Sequence, residues 1–262
     1  MFDKGEGRPV VVVPGVQGRW EWMRPALEAL AGRCRTISYS LCGDFGSGRR
    51  IDPSIGFDNY LRQLDAVLDG AGLERAAVCG VSYGGLVALR YAATRPDRVA
   101  ALVMSSSPAP GWVPTAQQRR WVSRPLRSVP AFVATSPGRL LPEIAAALPD
   151  VGRQAAFSLR HTLRVAAAPM KPQLMASRIT WQQTMDFRPD CARITAPTLV
   201  LTGEEGLDRV VPVAVTRAYA SLIAGARCVT IERTGHIGLL TRPERWAGVV
   251  AEFVMGEVVS GK

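Results

Sequence analysis

Short apolar runs alternate with stretches of helical period along most of the chain. Residues 9–13, PVVVV, are apolar without a break, as a strand covered on both faces requires. Residues 19–31 are rich in helix formers and stop at Gly32, a helix-ending residue. The segment RTISYSL at 35–41 predicts a second strand. In FDNYLRQLDAVLDGAG the apolar positions are 57, 60, 61, 64, 67 and 68, which follow the helical period of about 3.6 residues. Residues 76–81 then predict a strand, 83–94 a helix and 99–105 (VAALVMS) another strand. Strand and helix in alternation imply a parallel sheet with helices on both faces.

The alternation stops near Pro108 and resumes with APTLVLTG at 196–203. The interval carries helical patches at 116–128, 142–148, 152–168 and 172–186, punctuated by proline. A structureless loop of that length does not suit a compact domain, so a helical insertion is expected. The division is therefore a core of residues 1–108 and 188–262, with an insert at 109–187. Beyond it a helix is expected over 212–224, a strand over 226–233 and a final helix. Thr241, Pro243 and Glu244 have the spacing of a capping box at the start of that helix.

The chain has 262 residues, of which 47% are hydrophobic and 21% charged, which suits one globular domain. Its first residues lack the basic and apolar regions of a signal peptide. No apolar run reaches the ~18 residues of a membrane-spanning helix. Five cysteines are scattered without metal-ligand spacing, so free thiols and a cytoplasmic location are expected. The net charge of +10 raises the question of nucleic acid. The arginines are dispersed and do not alternate with stacking aromatics, so neither a nucleic-acid nor a membrane partner is expected.

Candidate chemistry begins at Gly80, Ser82 and Gly84. They form G-x-S-x-G between a strand and a helix, the setting of a nucleophile elbow. Glycines on either side let strand and helix approach while Ser82 sits beside the positive helix end. A serine hydroxyl needs a base, and the chain has 2 histidines. His236 follows the last predicted strand, at the sheet edge where such proteins build their sites. His161 lies among arginines within the insertion and reads as a surface or packing residue. An orienting carboxylate is also required. Glu204, Glu205 and Asp208 all follow the strand at 197–202.

The order nucleophile, acid, histidine resembles the α/β-hydrolase superfamily over nearly the whole chain. That resemblance implies an α/β-hydrolase fold with a mainly parallel sheet of about six strands and a helical cap. It also implies Asp208 as the acid, because Asp208, Val211 and Pro212 fit the family's D-x-x-V-P. Asp208 stands two residues further from Gly203 than is usual, which leaves Glu205 as competitor. The oxyanion donors implied are the backbone N–H groups of Tyr83 and Val16. Pro14 occupies the place of the family's histidine before Gly15, and the family's opening β-hairpin is not expected here. The R-G-x-G-x-S turn survives only as LCGDFGSG, where Asp44 is read as a turn or helix-dipole residue.

The resemblance implies a cofactor-independent, metal-free serine hydrolase acting on carboxylic esters. Lactonases, thioesterases, acyl-carrier esterases and carbon–carbon bond hydrolases use the same triad, and a non-catalytic ligand-binding protein is a further alternative. A small-molecule ester-type substrate is the expected partner. The insertion offers Trp112, Trp121, Met170 and Trp181, with Trp20 from the core, as candidate pocket residues. Residues 110–190 carry 11 Arg and Lys against 4 acids, a bias that would suit an anionic substrate or carrier.

Overall fold

The structure is a computed structural model that describes residues 1–256. The chain runs β1 (Phe2–Lys4), β2 (Pro9–Val13), a 3-10 turn (Trp20–Met23), α1 (Arg24–Ala31), β3 (Arg35–Ser38), α2 (Asp58–Gly70) and β4 (Ala76–Val81). Next come α3 (Tyr83–Thr94) and β5 (Val99–Ser105). Five helices follow: α4 (Ala116–Ser123), α5 (Val129–Ala134), α6 (Ser136–Ala147), α7 (Val151–Ala167) and α8 (Pro172–Thr184). The remainder is α9 (Arg188–Ala192), β6 (Thr198–Thr202), α10 (Val213–Arg217), α11 (Tyr219–Leu222), β7 (Arg227–Thr230), α12 (Gly238–Thr241) and α13 (Pro243–Met255).

The strands form one 7-stranded sheet in the order β1-β3-β2-β4-β5-β6-β7. Six strands are parallel, and β1 pairs antiparallel with β3 at the edge. That edge strand was not expected, because its three residues are too few to show any periodicity. The apolar run of β2 divides between two cores. Val11 and Val13 join Tyr60, Leu64, Val78 and Leu86 on one face. Val10 and Val12 join Leu27, Cys79, Trp246 and Val250 on the other. Both faces of the strand are dry, which is why its sequence does not alternate.

Local chemistry shifts several boundaries. Pro25 opens α1, and the residues before it form the 3-10 turn, not more helix. The helix expected over 116–128 ends at Ser123, ahead of Pro125, because proline disfavours helical backbone at Arg124. The segment expected as one helix over 212–224 is two short ones, α10 and α11. Thr241 caps nothing: α13 begins without a side-chain cap, and the Thr241 hydroxyl is engaged by Glu143 at 3.1 Å.

Chain order reverses across the sheet between β2 and β4, since β2 leads to β3 on one side and β3 crosses back to β4. Loops leaving two such strands diverge and open a crevice at their carboxyl ends. The helices α4–α8 lie over that rim. The indole of Trp22 donates to the Ala168 carbonyl (2.8 Å), Lys171 to that of Gly43 (2.6 Å) and Arg233 to that of Ala146 (2.7 Å).

Candidate active site

Ser82 stands between β4 and α3 with φ 52° and ψ −122°, a backbone that a residue with a side chain rarely adopts. Its own N–H donates to the Ser105 carbonyl (2.8 Å), and its carbonyl accepts from Gly85 (2.9 Å). A methyl group at Gly80 would be driven into the Gly84 carbonyl and the Gly85 backbone. One at Gly84 would meet the carbonyls of Val13 and Pro14. The glycines are thus required by backbone contact, and the strained serine is held from both sides.

His236 Nε2 lies 3.2 Å from Ser82 Oγ, and His236 Nδ1 lies 3.0 Å from Asp208 Oδ2. The other oxygen of Asp208 accepts the N–H groups of Val210 and Val211, each at 2.9 Å. As a carboxylate Asp208 only accepts, so Nδ1 carries the ring proton and Nε2 turns a lone pair toward the serine. Burial of the imidazole works against its charged form. The Asp208 charge and hydrogen bond, with Glu143 behind, outweigh that and hold His236 above the usual histidine range.

The two residues added before Asp208 form a turn. The amides of Leu207 and Asp208 both donate to the Glu204 carbonyl, at 3.2 and 3.4 Å. This turn carries Glu205 out to solvent and returns Asp208 to the interior. Glu204 accepts the Arg233 N–H at 2.8 Å instead of approaching the histidine. Gly235 lets the histidine loop touch the Leu207 backbone, where a side chain would collide.

The loop after β2 is pinned from above. Its Gly18 N–H donates to the Gly15 carbonyl (2.8 Å), closing a turn around Val16. The Val16 carbonyl accepts from Arg178 Nη1 at 2.8 Å. Arg178 comes from α8, is fully buried, forms an ion pair with buried Asp44 and donates to the Tyr60 hydroxyl (3.0 Å). Burial alone would disfavour its charge; Tyr60 and Asp44 reverse that and keep it above the ordinary arginine value. Asp44 does stand in a turn, where its carbonyl accepts the Ser47 N–H (3.3 Å), but its side chain serves as the partner of Arg178 and not as a turn or helix-dipole group. With Arg178 it does the anchoring that Pro14, in place of a histidine, cannot.

The histidine loop is gripped in the same way. Glu143 of α6 is fully buried and accepts the Ile237 N–H (2.9 Å) and the Thr241 hydroxyl. Sequence reasoning missed Arg178 and Glu143. The only signal was a charge set within helical patches that otherwise read as a roof.

The aromatic candidates are mostly spent on packing. Trp20 packs with its ring tilted against Phe2 (5.6 Å) and lies under the Arg24 guanidinium (5.4 Å), on the β1 side of the sheet. Trp121 contacts Phe132 (5.2 Å) and Arg139 (5.0 Å) inside the insert. Trp181 packs on Tyr60 (5.9 Å), against the main core. Trp112 and Met170 are half-buried, in the segments before α4 and before α8. Tyr83 has its ring in the core against Phe57 (6.0 Å) and Tyr60 (6.1 Å), while its backbone N–H belongs to the first turn of α3. His161 stacks on Phe157 (5.9 Å), and burial pushes it down to about 4, the behaviour of a packing histidine. All five cysteines are unpaired. Among the described residues, no helix is long and apolar enough to cross a membrane.

Comparison with known proteins agrees with this architecture. A protein from Azorhizobium caulinodans, named as a candidate carbamate hydrolase (RutD), is 29% identical over 96% of this chain and 91% of its own length. The 2-hydroxymuconate semialdehyde hydrolase of Pseudomonas sp. (strain CF600) is 26% identical over 97% of this chain and 89% of its own. Among solved structures, the enol-lactonase from Burkholderia xenovorans LB400 superposes with a TM-score of 0.80 at 22% identity, covering 97% of this chain and 95% of that one. The profile of the alpha/beta hydrolase fold family matches residues 8–243, and the chain is a member of that family.

Proposed function

We propose that the protein is a serine hydrolase that cleaves carboxylic esters through an acyl-enzyme. The single observation that carries this reading is the continuous hydrogen-bond chain from Ser82 Oγ through His236 to Asp208. Ser82 Oγ attacks the substrate carbonyl carbon, and His236 Nε2 takes the hydroxyl proton. The resulting imidazolium rests on Asp208. The backbone N–H groups of Val16 and Tyr83 receive the oxyanion, a contribution of about 10²–10³ in rate per donor. Collapse expels the alcohol, which takes the proton from Nε2. Water activated by the same histidine then releases the acid.

Residues 109–187 act in this reading as a cap that selects substrate, and their basic excess favours anionic esters. The five unpaired thiols suit a reducing compartment, and we assign the protein to the cytoplasm on that ground. Relatives named for carbamate, enol-lactone and semialdehyde hydrolysis make related acyl bonds the second class to assay. The test is a panel of p-nitrophenyl esters of graded chain length, with lactones and thioesters alongside. Turnover by the parent and its loss in Ser82→Ala is expected. Equal turnover by Ser82→Ala would refute the assignment.

A further inference from the structure

His236 is backed by a second carboxylate, contributed by the insert and not by the sheet. Glu143 sits on α6 with no solvent exposure. One oxygen accepts the Ile237 N–H at 2.9 Å, and the other accepts the Thr241 hydroxyl at 3.1 Å. The Gly235 amide adds a further hydrogen bond that favours its charged form. Glu143 is thus bound to residues on both sides of His236 in the chain. Burial raises the Glu143 carboxyl above the usual carboxylate range. These donors and the neighbouring imidazole work against that and favour the charged form, whose negative charge acts on the imidazole.

We propose that Glu143 is a positioning residue for His236: it fixes the loop that carries the imidazole and stabilises the imidazolium formed during acyl transfer. The proposal rests on the reading of Ser82, His236 and Asp208 as the catalytic set. Asp208 orients the ring through Nδ1, whereas Glu143 holds the backbone beneath it and touches no reacting atom. Asp208 and Glu143 are the acids that act on His236, and both favour its charged form. Two cations reach α6 from facing loops, Arg209 at the Gly138 carbonyl and Arg233 at that of Ala146. Both are exposed, so solvent screens them far more than the buried glutamate. Since Glu143 and Arg178 come from the same insert and hold opposite loops of the site, α6 and α8 are part of the catalytic scaffold.

The test follows the rate at which a fluorophosphonate labels Ser82 in the full chain between pH 5 and 9, which needs no knowledge of the substrate. Glu143→Gln keeps the shape and removes the charge. It should lower the apparent pKa of labelling by about half a unit or more, because the imidazolium loses support. The plateau rate should fall about tenfold, the scale of one hydrogen bond to a charged group. Glu205→Gln removes an exposed charge from the neighbouring loop and should leave the apparent pKa unchanged. A folded Glu143→Gln with the parent's pH profile and rate would overturn the proposal. Should that variant fail to fold, amide exchange in the parent decides: Gly235 and Ile237 should be protected like core strand amides. Exchange as fast as in exposed loops would overturn it. Absence of Ser82 labelling in the parent would instead refute the catalytic reading and leave the contact itself to the exchange data.

Discussion

Removing the Arg178 guanidinium should show how far the insert holds the site together. In Arg178→Met the Asp44 carboxylate stays where its side chain has 0% exposure, with its partner gone. Breaking one side of a buried pair costs about 3–5 kcal/mol, because the remaining charge is left without compensation. The Val16 carbonyl and the Tyr60 hydroxyl also lose their donor, at about 1 kcal/mol each. The single variant should therefore be destabilised by about 4 kcal/mol or more, a large share of the roughly 5–15 kcal/mol that holds a typical domain. In urea this corresponds to a midpoint lowered by about 1.5 M at a slope of about 2.5–3 kcal/mol per molar. Asp44→Asn alone leaves Arg178 buried but still bound to Val16 and Tyr60. The double variant removes both charges, so its cost should fall short of the summed singles by about 2 kcal/mol. The assay is equilibrium urea unfolding of the four proteins, with ester turnover measured on the folded fraction. Turnover should fall in every variant that releases the Val16 loop. Additive costs, or an Arg178→Met cost under about 1 kcal/mol, would refute the anchoring argument.

Three further outcomes are expected. Gly80→Ala forces a methyl into the Gly84–Gly85 backbone, so it should abolish turnover or soluble expression. A variant with parent turnover would contradict the elbow geometry. His161 is neutral when folded, with its pKa pushed down to about 4, so its protonation should erode stability as the pH falls below about 6.5. The linked loss is up to about 3 kcal/mol by pH 4; His161→Leu should flatten that part of the stability profile, and an unchanged profile would sink the assignment. Asp208→Asn should lower ester kcat by about 10³–10⁴ through the wrong ring tautomer, while Glu205→Gln retains the parent rate. The reverse order would make Glu205 the acid.

What the sequence disclosed was whatever is local. The strands at 76–81 and 99–105 and the helix at 83–94 match to the residue, because apolar runs and the Gly–Ser–Gly turn carry their signals within a few positions. The histidine was legible because only two were available and one followed the last strand. Asp208 was recognisable from the Val211–Pro212 pair downstream, although the extra turn that delivers it was seen only as a spacing anomaly. Contacts between distant segments were not legible. Glu143 meets residues 235–241 and Arg178 meets Asp44, and nothing along the chain records either pairing. The capping reading of Thr241 failed for the same reason: a buried glutamate from another helix took its hydroxyl. Aromatic content suggested pocket residues, but not the neighbours on which Trp20, Trp121 and Trp181 pack, because those contacts depend on how the segments meet.

The most direct test is intact-protein mass spectrometry of the chain after brief exposure to a fluorophosphonate, with the modified peptide sequenced. The account predicts one adduct, on Ser82, formed by the folded protein, lost on prior heating and slowed at least a hundredfold in His236→Ala, within the range of general-base contributions of about 10²–10⁴. An adduct elsewhere, or labelling of Ser82 at the parent rate without the imidazole, would contradict it.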